Sequence, residues 1–334
     1  MSALSATKHT SQHASRACLV LAASLCCVAA GADETAETAL AAMHDATRKL
    51  NYDGVFVYHR ADQLESMRLI HRYADDTETE RMISLSGPAR EVIRVGSLVT
   101  CLSVDEPDSA TDKNPSRDII GIGFSAPVEK LRGSYSFAID GKDRVAGRAA
   151  LVVAVSPRSP DRYAYRLWLD EQTHLLLKSA ILDVNGHALE QVQFTHLEVS
   201  DQISSELLKP GIQGTAFQWR TDADAAAGGT APVVLPDWQP GWLPTGFEFK
   251  ESSGQQAHEG VEATSHLIYS DGLSMVSVFV ATIADDKQAL QGESSRGAVN
   301  AYSRLDAKHQ ITVVGEVPLS TLKRIAESVT QSSK

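Results

Sequence analysis

The sequence predicts an α+β protein whose main body is a curved antiparallel β-sheet. Three strand-like segments follow one another between Tyr163 and Leu197, where apolar side chains alternate along the first segment and dominate the second. Five more strand-like segments lie between Asn51 and Val104, about ten residues apart and separated by polar turns. A polar stretch rich in Gly and Ala, residues 210–232, divides this large region from a smaller one. An antiparallel sheet of this length curls as it grows.

The first 32 residues have the features of a secretory signal peptide. Lys8 and Arg16 precede an apolar run from Ala17 to Ala30, and Ala30-Gly31-Ala32 fits the pattern of a cleavage site before Asp33. The run is too short to stay in a bilayer as a membrane span. We therefore predict an exported, soluble chain that starts at Asp33.

Cysteine usage fits an exported chain without an internal disulfide. Three of the four cysteines lie in the predicted leader, so only Cys101 remains after cleavage. Cys101 sits in a strand-like run, which favours a small buried side chain over a reactive thiol, while intermolecular pairing stays open. A lipid anchor at Cys26 is disfavoured, because the preceding Leu25 is larger than the residue usual at that position.

The exported chain is acidic. Removal of the leader, which holds two basic residues, leaves 29 basic and 42 acidic side chains and a net charge of about −13. This argues against nucleic-acid binding, which requires a basic face. General adsorption to an anionic membrane is disfavoured for the same reason. An acyl chain in a pocket, or a basic peptide partner, is compatible with this charge.

The large region begins with a helix over residues 34–50, whose apolar residues recur at helical spacing and whose charges suit the helix dipole. Residues 105–117 break the strand pattern and predict a surface loop. The irregular apolar run that follows, residues 119–133, is predicted to cover the open side of the sheet. Asn185-Gly186 separates two of the later strands and predicts a type I′ hairpin turn. The strands are expected over residues 51–60, 64–73, 78–85, 90–95, 98–104, 135–139, 145–155, 163–170, 175–184 and 187–197.

The smaller region starts near Val233. Its first part carries Trp238, Trp242 and Phe247 among several prolines, which predicts an extended, rigid segment. Two hairpins and a closing helix over residues 320–331 follow. The hairpins are expected to pair residues 266–269 with 274–283, and residues 300–305 with 311–317.

The sequence lacks the motifs of catalysis, of metal binding and of cofactor binding. Its histidines are scattered without zinc-like spacing, no G-x-S-x-G is present, and Gly121-x-Gly123 lacks the third glycine of a dinucleotide site. We therefore expect no catalytic residue, no metal site and no cofactor. A binding protein is favoured, and a secreted hydrolase with a dispersed active site stays open as a weaker alternative.

Short segments in both regions carry a resemblance to one known family. They are Leu50-Asn51-Tyr52, Ser86-Gly87-Pro88 with Arg90-Glu91-Val92, Tyr163–Asp170, Trp242-Leu243-Pro244 with Gly246-Phe247, Tyr269-Ser270-Asp271-Gly272-Leu273, residues 311–318 and residues 323–327. No single segment is a catalytic signature, so the specificity lies in their number and order along the chain. In these segments the chain resembles the RseB/MucB family, the periplasmic negative regulators of σE-type envelope-stress sigma factors.

The resemblance implies a fold and a location. Residues 33–209 would form an unclosed antiparallel β-barrel, similar to the lipoprotein carriers LolA and LolB, with helices on its concave side. Residues 210–232 would be the linker, and residues 233–334 a smaller mixed α/β domain. The leader, residues 1–32, would direct the chain to the periplasm.

The resemblance also implies partners. The protein would bind the periplasmic region of a membrane anti-sigma factor and shield it from regulated proteolysis. Acyl lipid, lipoprotein or lipopolysaccharide would bind the barrel and loosen that complex. The alternative is a periplasmic lipid or lipoprotein carrier without a regulatory partner, and self-association into a homo-oligomer stays open.

Two sets of candidate site residues follow from this hypothesis. The first set consists of apolar and aromatic residues of the sheet and of the predicted cover, and these are the acyl-pocket candidates: Phe56, Ile120, Phe124, Leu131, Tyr165 and Trp168. The second set lies in the matching segments and turns of the smaller domain, and these are the partner-binding candidates: Tyr269, Asp271, Arg296 and Glu316.

Overall fold

The computed structural model describes residues 34–104, 127–220, 237–255, 264–283 and 290–331. The predicted leader, most of the predicted surface loop and cover, and residues 221–236 lie outside these ranges. Glu34–Lys334 form one compact unit. No helix in the described ranges is long and apolar enough to span a membrane.

The larger sheet has eleven antiparallel strands and does not close. Its strand order is β11-β5-β4-β3-β2-β1-β10-β9-β8-β7-β6, so β11 and β6 are its two edges. This confirms the predicted fold class for the large region. The elements are α1 (Ala36–Lys49), β1 (Asn51–Arg60), β2 (Gln63–Ala74), β3 (Thr77–Ser84), β4 (Arg90–Val95), β5 (Leu98–Ser103), α2 (Val128–Leu131), β6 (Tyr135–Val145), β7 (Arg148–Pro157), β8 (Ala164–Asp170), β9 (Leu176–Leu182), β10 (Ala188–Ser200), a 3₁₀ turn (Ser205–Leu208) and β11 (Thr215–Arg220).

Helix α1 covers part of this sheet with its small and apolar side. Thr35 caps the helix, because its hydroxyl accepts the Thr38 backbone N–H at 3.1 Å. The side chains of Ala39, Leu40 and Met43 are buried in a cluster with residues of β7 and β8. The sheet, apolar on both faces, therefore has the cover that its sequence requires.

One edge strand and one turn of the larger sheet differ from the sequence prediction. Residues 215–220 fall within the predicted linker, but they form edge strand β11 and pair with β5. The Asn185-Gly186 turn is not type I′, since only Gly186 has a positive φ, of 82°. Instead Gly186 N–H bonds to the Asp183 carbonyl at 3.0 Å, and the Asp183 carboxylate accepts the Asn185 and His187 N–H groups. The aspartate thus fixes a longer turn than the Asn-Gly pair alone suggests.

One cross-strand row of the large sheet is important for the site. Directly paired residues share a face, and the register aligns one residue from each of six neighbouring strands, β7, β8, β9, β10, β1 and β2. The row reads Val155, Tyr165, Ile181, Glu190, Arg60 and Gln63.

The C-terminal domain is a separate six-stranded antiparallel sheet with one helix packed on it. The strand order is β13-β14-β15-β18-β17-β16, and a small two-stranded sheet pairs β12 with β19. The closing helix ends at Ser328, three residues earlier than predicted, because the chain then pairs with β12. The elements are β12 (Trp238–Pro240), β13 (Glu248–Gln255), β14 (Thr264–Ser270), β15 (Met275–Thr282), β16 (Gly292–Arg296), β17 (Val299–Asp306), β18 (His309–Gly315), α3 (Leu319–Ser328) and β19 (Val329–Gln331).

Candidate functional site

The two domains contact each other through polar and apolar side chains, and we call this contact the seam. Its centre is the turn between β14 and β15, residues 271–274, which contacts Tyr135, Arg162 and Tyr165 of the larger domain. All four turn residues, 271–274, are buried, although the tip of a hairpin normally faces solvent. The Asp271 carboxylate accepts hydrogen bonds from the Leu273 and Ser274 N–H groups at 3.0 and 2.8 Å, which fixes the turn. The turn is therefore held rigid where it enters the larger sheet region.

The second oxygen of the same carboxylate points across the seam. Asp271 Oδ2 accepts from Arg162 Nε at 2.6 Å and from the Tyr135 hydroxyl at 3.0 Å. Arg162 also donates to the Thr245 carbonyl, and its guanidinium lies 5.1 Å from the centre of the Phe247 ring. Because both charges are buried, each depends on the other for compensation.

The apolar part of the turn packs into the core of the larger domain. Leu273 is 5% exposed and belongs to the buried cluster formed by α1, α2 and strands β6 to β9. Among the described buried members of that cluster, Leu273 alone comes from the C-terminal domain. Next to it, the Ser274 hydroxyl lies 3.1 Å from the Tyr165 hydroxyl, in the cross-strand row described above. Burial raises the pKa of the Tyr165 hydroxyl.

A second contact region lies at the other end of the row. Glu190 accepts the Ala298 N–H at 3.0 Å and the Tyr58 hydroxyl at 2.6 Å, and Arg60 Nε lies 3.5 Å from the Glu190 carboxylate. Gly297, with φ of 62°, packs so closely that a Cβ there would collide with Arg60 and Glu190. The β16–β17 turn thus packs directly against Arg60 and Glu190 of the cross-strand row.

Glu316 follows β18 near this second region and carries an unusual carboxyl group. Burial, followed by the charge of Glu190, raises the pKa of Glu316 to about 7, although Arg60 partly opposes this. Two carboxylates therefore share the field of one guanidinium, and the environment favours the protonated form of Glu316 below about pH 7.

The acyl-pocket candidates are placed in three ways. Ile120 and Phe124 lie outside the described residues. Phe56, Leu131 and Tyr165 are almost completely buried in the core. Trp168 is also buried, with its indole N–H bonded to Asp143 at 2.8 Å and the Lys178 amine 4.3 Å from its ring. Leu131 and Tyr165 share one cluster, and Phe56 and Trp168 share another, so the structure groups the four candidates into two pairs.

Two hollows on the larger sheet are too small for an acyl chain. They have about 140 and 170 Å³ of empty space, including solvent at their mouths. Ligand pockets usually start at roughly 300 Å³. The first is lined by residues 176–179 with Val192 and Phe194, and the second by Met67, Met82, Ser84, Arg90 and Val92.

The partner-binding candidates differ in accessibility. Tyr269 packs inside the C-terminal core, with its ring centre 5.7 Å from that of Phe249. Asp271 and Glu316 lie at the seam, as described above. Arg296 is exposed at the end of edge strand β16 and donates to Gln63 of the larger sheet. Of the four, Arg296 is the residue that a partner reaches without opening the seam.

Three residues that could bind a metal converge where the sequence showed no metal motif. Ligand atoms of His71, Glu78 and Glu80 lie within 4.8 Å of one another. However, Arg94 donates to Glu78 and to Glu80, each at 2.9 Å, and His71 Nδ1 lies 2.7 Å from the Leu50 carbonyl. Burial alone would raise the pKa of Glu78, but its hydrogen bonds with His71 Nε2, 3.2 Å away, and with Arg94 lower that pKa to about 2. We interpret the cluster as a structural ion network, since a guanidinium already compensates both carboxylates.

Sequence reasoning missed most residues of the seam. Arg162, Tyr135 and Glu190 gave no local signal, because their partners are 109, 136 and 108 residues away. Leu273 was noted only as part of a matching segment. A buried hairpin tip could have been suspected from Gly272-Leu273, where an apolar residue follows the turn glycine, but the signal is weak.

Comparison with known proteins assigns both regions of the chain to family models. A family model of the MucB/RseB N-terminal domain matches residues 35–212, and one of the MucB/RseB C-terminal domain matches residues 234–330. The chain belongs to the MucB/RseB family. Its resemblance at the level of short segments is thereby confirmed over both domains.

Curated relatives cover nearly the whole chain. The "Sigma factor AlgU regulatory protein MucB" of Pseudomonas aeruginosa is 32% identical over 320 residues, which span 93% of this chain and 96% of the relative. The "Sigma-E factor regulatory protein RseB" of Escherichia coli K12 is 31% identical over 300 residues, which span 86% and 88%. The family is thus shared with proteins named as regulators of sigma factors.

Solved MucB structures have the same fold. A crystal structure of MucB in complex with MucA(peri) aligns with a TM-score of 0.71 and 28% identity, covering 90% of this chain and 100% of that one. The complex structure of Pseudomonas aeruginosa MucA/MucB gives a TM-score of 0.72 at 30% identity, covering 90% and 99%. A crystal structure described as MucB gives 0.62 at 30% identity, covering 89% and 98%.

Proposed function

We propose that this chain is a periplasmic regulator that binds the periplasmic region of a membrane anti-sigma factor and shields it from regulated proteolysis. The observation that carries the proposal is the alignment of both domains together with MucB structures in complex with MucA. The leader, residues 1–32, would export the chain to the compartment in which that region lies.

The acidic charge and the seam suit this role. A chain with a net charge of about −13 attracts a basic peptide and repels nucleic acid. Arg296, at the end of the exposed edge strand β16 of the C-terminal sheet, contacts Gln63 of the larger sheet. A peptide bound there therefore touches both domains at once. Partner binding would then depend on the relative position of the two domains.

The second part of the proposal is lipid sensing. An acyl lipid, a lipoprotein or lipopolysaccharide would bind among the apolar side chains beneath α1, near Leu131 and Tyr165. These side chains are packed in the described state, so a lipid would bind a different state of the chain and shift the population toward it. Catalysis has no part in this function.

Binding of the anti-sigma segment tests the first part. The chain from Asp33 to Lys334 is titrated into the fluorescently labelled periplasmic segment of the same organism's anti-sigma factor, and anisotropy is followed. We expect a Kd below about 1 μM, which corresponds to about 8 kcal/mol of binding free energy. No binding at tens of micromolar, with lipid still bound, would move the conclusion to a lipid or lipoprotein carrier.

A surface variant locates the contact. Arg296→Ala should weaken binding of the segment by about tenfold, because it removes an exposed, hydrogen-bonding side chain that contacts Gln63 at the junction of the two domains. Arg324→Ala is the control, since this arginine is also exposed and lies in the same domain, where its guanidinium stacks 3.7 Å from the centre of the Trp242 ring. Equal effects of the two changes would place the partner elsewhere.

A further inference from the structure

The strongest unexplained feature is an apolar side chain of one domain that fills the core of the other. Leu273 sits at the tip of a hairpin, where a leucine would normally be exposed. Here it is 5% exposed, and the other described buried members of its cluster belong to α1, α2 and strands of the larger sheet. The hairpin tip therefore acts as part of the larger domain's core.

The position of Leu273 coincides with half of the predicted acyl site. Leu131 and Tyr165 are 0% and 1% exposed and belong to the same cluster as Leu273. An acyl chain that contacts these two side chains must therefore displace a neighbouring part of the cluster, either helix α1 or the hairpin tip with Leu273. Helix α1 is fastened by Glu37 to Arg132 at 2.5 Å and by Glu34 to His174 at 2.6 Å, and it buries five side chains.

The hairpin tip is the smaller piece to move. It contributes one apolar side chain to the cluster, and its anchoring groups are Asp271 and Ser274, which contact Arg162, Tyr135 and Tyr165. When the tip withdraws, both buried charges regain water, whereas displacement of α1 exposes several apolar side chains. The tip should therefore leave before the helix does.

We propose that Leu273 is a plug that an acyl chain displaces, so that acyl binding beneath α1 and seating of the 271–274 turn exclude each other. The acyl chain takes the volume of the leucine side chain, the Arg162–Asp271 pair separates, and the seam opens. This inference rests on the proposed lipid sensing, and it explains how a bound lipid would change the contact between the two domains. It commits the apolar site to one class of occupant, an acyl chain.

A reversible crosslink across the seam tests the exclusion. A Cβ built on Gly246 lies 3.8 Å from the Cβ of Ser134, which is the usual separation in a disulfide. Ser134→Cys with Gly246→Cys should thus join the domains when oxidised, and the buried Cys101 is a poor competitor for either thiol. Because Gly246 has φ of 91°, its change to cysteine is itself strained, so the reduced double variant is the reference for the oxidised one. The probe is a fluorescent palmitoylated peptide, titrated into the chain from Asp33 to Lys334.

The expected result is a loss of acyl binding by at least tenfold in the oxidised double variant and recovery when it is reduced. Equal affinity of the oxidised and reduced forms would overturn the exclusion while leaving lipid sensing intact. If the wild-type chain does not bind the palmitoylated peptide, lipid sensing itself fails and the plug fails with it.

A second variant does not depend on crosslinking. Leu273→Ala should bind the palmitoylated peptide at least threefold more tightly, because less side chain must be displaced. Leu290→Ala is the matched control, being the same change at a leucine that is 70% exposed in the same domain. Weaker acyl binding by Leu273→Ala would show that Leu273 lines the acyl site rather than occupying it, and would overturn the proposal.

Discussion

Arg162 of the larger domain and Asp271 of the C-terminal domain form a buried ion pair, with 2.6 Å between Nε and Oδ2 and side chains that are 2% and 0% exposed. The pair is the polar half of a contact whose apolar half is Leu273. Removal of one partner from such a pair leaves a buried charge without compensation. The stability of the seam should therefore respond strongly to changes at either residue.

Asp271→Ala is expected to destabilise the chain by about 2–4 kcal/mol, since it strands the Arg162 guanidinium and releases the turn. Urea denaturation measures the loss. The matched control is Asp140→Ala, which breaks an exposed pair with Arg166 whose side chains are 43% and 45% exposed. That control should lose less than about 1 kcal/mol. Similar losses in both variants would contradict the importance of the buried pair.

Gly246→Ala tests how closely the two domains approach. Gly246 has φ of 91°, and a Cβ there would collide with the Ser134 hydroxyl, so a loss of about 1–3 kcal/mol is expected. Adding Ser134→Ala should recover part of it by removing the hydroxyl. Gly96→Ala is the control, because Gly96 has φ of 54° but nothing within 4 Å of the built Cβ. If Gly246→Ala loses no more than this control in thermal denaturation, the domains are not packed this closely.

Glu316 predicts a specific dependence of stability on pH. Its pKa is raised from the ordinary 4.5 to about 7 in the folded chain. Between these values the folded chain keeps a proton that the unfolded chain has released, so the contribution of Glu316 to stability falls as the pH rises through this window. Glu316→Gln removes the effect. The unfolding free energy of the variant, relative to wild type, should rise by about 1–3 kcal/mol between pH 5 and pH 8.

The same measurement in a Glu190→Gln background identifies the cause. Glu190 contributes its negative charge to the raised pKa of Glu316, after burial. The rise with pH should thus be smaller when Glu190 is already neutral. A relative unfolding free energy that stays flat from pH 5 to pH 8 in both backgrounds would show that Glu316 titrates as an ordinary surface carboxyl group.

The sequence predicted the strands well because their side chains alternate. Alternation along the segment that starts at Tyr163 predicts one face with Tyr163, Tyr165, Leu167 and Leu169, and all four are buried. Trp168 and Asp170 of the opposite face are buried too, so burial does not separate the two faces here. The residue pattern does not encode which distant strands become neighbours, however. The position of Glu190 opposite Arg60, 130 residues away in the sequence, depends on the pairing of β1 with β10.

The candidate site was only partly predictable for the same reason. Asp271 was expected at a hairpin turn, where aspartate is common for backbone reasons, and it does fix the turn. Its second role requires Arg162, which lies in an irregular segment before β8 with no motif around it. The choice among Phe56, Leu131, Tyr165 and Trp168 also needed the sheet curvature, which decides whether an apolar side chain lines a pocket or fills a core.

One titration tests the central claim that acyl binding opens the seam and thereby weakens partner binding. The labelled anti-sigma segment is bound to the chain, palmitoylated peptide is added, and anisotropy is followed for wild type and for the oxidised Ser134→Cys/Gly246→Cys variant. We expect release from wild type, with a ~100-fold weakening that corresponds to a coupling of about 2.7 kcal/mol, and retention by the crosslinked variant. Saturation of the wild-type chain with the palmitoylated peptide while the segment stays bound at unchanged affinity would contradict the account.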